Sequence, residues 1–177
     1  HAEADGLPGL IVDLYGDVLV VQANTAVMDT LLPEILPALQ TVTGVSTIVH
    51  NRAGAAVMQE GLTEKSEVLV GSFTGPLRID ENGASFFIDP IDGQKTGWFY
   101  DQRDNRAYSA KLCGGQRVLD AYCYAGGFGI LAATQAPQHV TLIDRSETAL
   151  ALARNAAEAN AVTERCHFLK ADALDEL

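Results

Sequence analysis

The sequence is poor in basic residues, in cysteine and in long apolar runs, and each scarcity removes a class of function. Lysine and arginine number 12 against 23 acidic residues, for a formal charge of −11. Non-specific affinity for nucleic acid comes largely from basic side chains neutralising phosphates, so this chain does not hold RNA by charge alone. No apolar run approaches the ~18 residues that a membrane span needs. A composition of 47% hydrophobic and 20% charged residues instead suits a globular, soluble chain without a membrane partner. The opening HAEADGLPG has no basic flank, apolar stretch or small-residue cleavage site, so no secretory signal is read and the expected location is cytoplasmic. The three cysteines, Cys113, Cys123 and Cys166, are widely spaced and form no C-x-x-C pair, which gives no reason to expect a zinc site, a redox dithiol or a metal cofactor.

What is present divides near residue 90. Residues 10–14 (LIVDL) and 18–23 (VLVVQA) are β-branched runs around Tyr15-Gly16-Asp17, a break that suits a hairpin. Val27, Leu31, Ile35 and Leu39 recur every four positions and predict an amphipathic helix over 27–42. Pro33 and Pro37 lie inside it, and the second should kink the helix or split it in two. Residues 46–51 read as a strand, and Glu81-Asn82-Gly83 joins strands at 77–79 and 85–89. Residues 1–90 are therefore expected to form a small α+β domain of order strand, strand, helix, strand, strand.

From residue 91 the pattern alternates. Helices are predicted at 100–112, 127–135 and 146–160, interleaved with strands at 118–122, 140–144 and 167–170, and Gly114-Gly115 stops the first helix. Such alternation argues for a parallel, Rossmann-like α/β sheet.

The segment Val118-Leu119-Asp120-Ala121-Tyr122-Cys123-Tyr124-Ala125-Gly126-Gly127-Phe128-Gly129 carries most of the functional information. An apolar strand delivers an aspartate and then three glycines into a helix start. Glycine lets backbone bend and approach a ligand closely, and the helix offers free N–H groups. Ligands of open α/β sheets bind at such carboxyl ends of strands. The blander reading is that the glycines only let helix pack on strand. Two further acids favour a ligand: Asp144 ends the next strand, where a carboxylate suits both hydroxyls of a ribose, and Asp172 follows the third, where it suits an adenine amino group. Dinucleotide binding needs G-x-G-x-x-G, but Ala132 stands three residues after Gly129, and Asp120 would repel a pyrophosphate. A carboxylate there can accept from the amino group of a methionine moiety, so the inferred ligand is a nucleoside sulfonium. An NAD-dependent oxidoreductase and a non-catalytic nucleotide-binding or oligomerisation module are the alternatives.

The runs D-A-Y-C-Y-A-G-G-F-G, L-I-D-R-S and K-A-D-A resemble motifs I to III of the class I S-adenosylmethionine-dependent methyltransferases. Upstream, residues 6–13 (GLPGLIVD) and 94–103 (QKTGWFYDQR) resemble the large-subunit rRNA (cytosine-5) methyltransferase I family over essentially the whole chain. The resemblance implies an rRNA substrate, S-adenosylmethionine as cofactor, and a cofactor pocket drawn from Thr96, Gln102, Arg103, Asp120, Cys123, Tyr124, Gly126, Gly127, Asp144 and Asp172. It also implies that an RNA-binding domain precedes this chain and that the catalytic cysteine, which adds to cytosine C6 so that C5 can take the methyl group, follows Leu177. No catalytic residue is expected within the chain, and Cys123 is expected to line the cofactor pocket without acting as nucleophile. A complete domain of this kind has seven strands with the first at the centre. Three strands alone would leave residues 118–122 on an open edge, through which copies are expected to associate.

Overall fold

The computed structural model describes residues 2–176 as a mixed α/β protein of two compact units. The first comprises residues up to 77 together with 89–98, and the second 78–88 together with 99–177.

In the first unit, β1 (Leu10–Tyr15) and β2 (Val18–Ala23) form an antiparallel hairpin, tightened at Gly16, whose φ is +60°. Helix α1 (Ala26–Thr43) then crosses over so that β3 (Thr47–His50) pairs parallel to β2, and β4 (Glu67–Val70) adds antiparallel to β3 after a short helix α2 (Ala55–Gln59). The sheet order is β1-β2-β3-β4. Met28 and Leu32 of α1 are buried with Leu10, Leu19, Val21 and Ile48. Full burial of each such side chain contributes about 2 kcal/mol.

Two expectations for this region change. The helix is continuous across Pro33 and Pro37. The two prolines are four residues apart, share one face and are exposed, so the carbonyls they leave unbonded, those of Asp29 and Pro33, lie on the side where water can take them. Val27, expected on the apolar stripe, is 63% exposed, and Met28 takes its place in the core. The sheet also gains β4, which a sequence reading passes over because Glu67–Val70 is only four residues long and half-exposed.

The second unit takes in the hairpin of β5 (Leu77–Glu81) and β6 (Ala84–Ile88), which an expected boundary near residue 90 would have grouped with the preceding strands. Its turn, Asn82-Gly83, has φ of +54° and +78°, the two positive values a tight hairpin requires. Specific bonds place it there. Asn160 exchanges hydrogen bonds with the Ser85 backbone, accepting from its N–H at 2.9 Å and donating to its carbonyl at 2.7 Å. Glu81, wholly buried, accepts from Arg106 of α3 (Arg103–Ala110) at 2.7 Å. Phe86 and Ile88 of β6 are fully buried.

Strands β7 (Arg117–Ala121), β8 (His139–Asp144) and β9 (Cys166–Lys170) form a parallel sheet in that order. Helices α4 (Gly127–Ala133) and α5 (Glu147–Ala159) provide the crossovers, and α6 (Ala173–Glu176) follows β9. Leu142 faces α4. On the other face Arg117, Leu119, Thr141, Ile143 and Leu169 line an open groove of about 460 Å³. Among the described residues no helix is long and apolar enough to cross a membrane, and no cluster of side chains could hold a metal ion.

Candidate functional site

The carboxyl ends of β7, β8 and β9 gather the informative residues of the second unit. After Asp120 the backbone zigzags. Tyr122, Tyr124 and Gly126 have φ of +59°, +49° and +79°, so alternate residues occupy the left-handed region. For the two tyrosines this costs on the order of 1 kcal/mol each. The shape is held by four bonds. Cys123 N–H donates to the Ile143 carbonyl at 3.0 Å and Gly126 N–H to the Cys123 carbonyl at 2.8 Å. Tyr124 N–H donates to Asp144 Oδ2 at 2.8 Å, and Gly129 N–H to Asp120 Oδ2 at 2.7 Å. The turn is thus clamped between the two aspartates that bracket it.

Two glycines are required by packing. A Cβ on Gly126 would meet Ile130 at 2.8 Å and Ala153 at 3.0 Å, and one on Gly129 would meet Leu142 at 2.8 Å and Asp120 at 2.9 Å. The close seating of α4 on β8, which the blander reading of these glycines anticipated, therefore accounts for Gly129, and the approach of α5 together with Ile130 accounts for Gly126. Gly127 is buried in the first turn of α4.

The electrostatics are unusual for a protein so acidic. Burial pushes the Asp120 carboxyl up to about 6, the Gly129 N–H offsets part of this, and the Asp144 charge adds to it. Asp120 Oδ1 has no hydrogen-bond partner among the described residues. A half-buried carboxylate facing a second carboxylate, with a free oxygen, is a place where a cation gains and an anion loses. Burial first, then Asp120 and Asp144, raises the Cys123 thiol far above its ordinary value. Its hydrogen bond goes to the Tyr124 carbonyl at 3.7 Å. Burial pushes Cys166 up to about 11 and also raises Cys113. None of these thiols forms the thiolate that a nucleophile needs near neutral pH.

Asp144 has both oxygens engaged by backbone, Oδ2 by Tyr124 and Oδ1 by Ser146 N–H at 2.9 Å. An ionised carboxylate has about four acceptor positions, so room is left for a ligand. Asp172 lies beyond β9, where Oδ1 accepts from Leu174 N–H at 3.0 Å and Oδ2 pairs with Arg145. Tyr124 meets Phe99 edge to face at 6.3 Å.

The remaining expected residues make these contacts. Thr96 belongs to the first unit, where its buried hydroxyl donates to Asp13 Oδ2 at 2.6 Å and accepts from Tyr15 Oη at 3.4 Å. Gln102 spends its amide on Asp101 and Asn105. Arg103 reaches Glu81 Oε2 at 3.3 Å and lies over the Tyr100 ring. Arg106, which sequence reading passed over, is the buried member of this group and also donates to the Phe99 carbonyl at 2.8 Å. No local pattern marks it, because its partner Glu81 lies 25 residues away. Ser146 had a signal: in Asp144-Arg145-Ser146 it sits where a helix cap belongs, and its side chain accepts from Ala149 N–H.

The profile of the S-adenosylmethionine-dependent methyltransferase family matches residues 7–174. The chain is 40% identical over 174 residues to the ribosomal RNA large subunit methyltransferase I of Aeromonas hydrophila, covering 97% of this chain and 44% of that protein. It thus spans less than half the length of the curated relatives it matches. Among solved structures, one from Streptococcus mutans, described as an S-adenosylmethionine-dependent methyltransferase, superposes with a TM-score of 0.84 at 23% identity, over 99% of this chain and 46% of the other. A second, described as a methyltransferase complexed with SAH, gives 0.84 at 24% identity, over 99% and 45%. At these identities the two structures speak for the fold.

Proposed function

This chain belongs to the S-adenosylmethionine-dependent methyltransferase family, and on that premise we propose that the turn between β7 and α4 binds S-adenosylmethionine for an rRNA methyltransferase acting at C5 of a cytosine in the large subunit. The observation that carries the cofactor reading is the pair of carboxylates bracketing the turn, one of them pushed up to about 6 with an oxygen to spare. That environment fits a ligand with a cationic ammonium and a sulfonium and disfavours a pyrophosphate, which argues against the dinucleotide alternative. The solved relative in complex with SAH supports the same ligand class.

When bound, S-adenosylmethionine supplies an electrophilic methyl group on a positively charged sulfur. The residues proposed to hold it divide by chemistry. Asp120 accepts from the ammonium, and Cys123, Tyr124, Gly126 and Gly127 form the wall of the turn. Asp144 accepts from the ribose hydroxyls, and Asp172 from the adenine amino group. Thr96, Gln102 and Arg103 are proposed for the same pocket from the QKTGWFYDQR resemblance alone, their side chains being hydrogen-bonded within the chain. The rRNA substrate is proposed from the named function of the relatives, and cytosine C5 from the GLPGLIVD and QKTGWFYDQR resemblance. Replacement of Asp144 by alanine should abolish binding of S-adenosylhomocysteine in calorimetry while the circular dichroism is unchanged. Undiminished binding would remove Asp144 from the site.

A second proposal rests on the sheet edge. Leu119 of β7 is 47% and Tyr122, just beyond it, 58% exposed, and an apolar strand edge is a template for another chain. Two copies are proposed to associate there. Light scattering should give about twice the chain mass of 18.8 kDa, and Leu119→Lys should return it to the single-chain value. A single-chain mass for the parent protein would contradict this.

A further inference from the structure

We infer that Arg145 is a positioning residue that fixes the Asp172 carboxylate and thereby sets the preference of the site for adenine over 6-oxopurines. The inference rests on the cofactor reading above and adds to it a residue and a selectivity.

Arg145 is the first residue beyond β8, and its side chain is 71% exposed. A charged residue in that position would ordinarily be a solvated surface group. Here its Nη2 pairs with Asp172 Oδ2, across from the end of one strand to the end of the next. The backbone reinforces the junction, since Ala171 N–H donates to the Asp144 carbonyl at 3.2 Å and Asp144 registers with Lys170. Asp172 is held a second time through Oδ1 by the Leu174 N–H, in the first turn of α6. That bond alone fixes one oxygen and leaves the carboxylate free to rotate about it. The guanidinium on the other oxygen removes the rotation.

A fixed carboxylate is a selectivity element. Ionised, it only accepts hydrogen bonds, so it can pair with the exocyclic amino group of adenine and repels the carbonyl oxygen of hypoxanthine. Sites built to bond a specific donor reject ligands lacking it far more strongly than apolar pockets reject a change of size. The rejection depends on the acceptor staying in place, since a carboxylate free to swing away leaves neither a bond to gain nor a repulsion to suffer. An exposed ion pair adds little to folding stability, so Arg145 can be removed without unfolding the chain.

The experiment is calorimetric titration of the chain with S-adenosylhomocysteine and with its inosine counterpart, S-inosylhomocysteine. The parent protein should prefer the adenine ligand by about tenfold or more. Arg145→Met should reduce that ratio at least about threefold, mainly by weakening the adenine ligand, with the thermal midpoint unchanged. Arg145→Lys should restore most of it, and Asp172→Asn should lose the preference altogether. An unaltered ratio in Arg145→Met, or equal loss of both ligands with the ratio preserved, would overturn the role of Arg145 while leaving the cofactor reading intact. Failure of the parent protein to bind either ligand would overturn both.

Discussion

Replacing Asp120 by asparagine should move ligand affinity and folding stability in opposite directions. In the free chain the Asp120 carboxyl is pushed from its ordinary 3.8 to about 6, chiefly by burial. A carboxyl raised in the folded state binds its proton more tightly there than in the unfolded chain. The contribution of this group to stability is therefore most favourable below pH 3.8 and declines as pH rises through the window from 3.8 to about 6. A rise of that size corresponds to a cost of about 3 kcal/mol that persists at neutral pH. The asparagine would keep an oxygen to accept the Gly129 N–H but carry no charge, so the ligand-free variant should be about 1–3 kcal/mol more stable at pH 7 by denaturant unfolding. A ligand ammonium is the partner that relieves this cost. The variant should bind S-adenosylmethionine about 10–100-fold more weakly, the loss expected for a hydrogen bond to a charged group. In the parent protein the affinity should be level near pH 7, where the ligand amine is still protonated, and fall about tenfold per pH unit below about 6, because only the ionised carboxylate serves. Affinity that stays level down to about pH 5, or a variant both less stable and equally tight, would refute the assignment of strain and function to the same carboxylate.

Further consequences follow from the same structure. Arg106→Met would take from the buried Glu81 carboxylate its buried guanidinium partner, and should cost about 3 kcal/mol in urea unfolding, most of it recovered by Glu81→Leu in the same chain. Gly126→Ala places a Cβ 2.8 Å from Ile130 and 3.0 Å from Ala153 at a φ of +79°, and should destabilise by about 2 kcal/mol while lowering ligand affinity, both measurable on one sample by calorimetry. His50 is 2% exposed, its Nε2 has no partner among the described residues, and burial lowers its pKa. The unfolded chain then takes up the proton first, so the His50 contribution to stability is full above 6.5 and is lost as pH drops below it, a component of the pH dependence that His50→Leu should remove from thermal midpoints.

The second unit was more legible in sequence than the first, and the reasons are physical. Its parallel strands alternate with helices, a pattern written in runs of apolar residues long enough to read, and Asp120 and Asp144 stand at strand ends where their roles are local. The clamp those acids place on the turn was not legible, because it depends on tyrosines at 122 and 124 adopting left-handed backbone that their residue type disfavours. The affiliation of the β5-β6 hairpin was also hidden. It is set by Glu81 with Arg106 and by Ser85 with Asn160, pairs separated by 25 and 75 residues. In the first unit, the prolines of α1 read as breakers because a sequence does not say that both face water. Short β4 lacked the length for its alternation to register.

An adenosyl sulfonium ligand held at the turn between β7 and α4 would be distinguished from a dinucleotide by parallel calorimetric titration with S-adenosylmethionine, S-adenosylhomocysteine and NAD. Saturable binding of the first two, absent for the third and lost in Asp144→Ala, is the predicted result. Binding of NAD in place of the other two would contradict the claim.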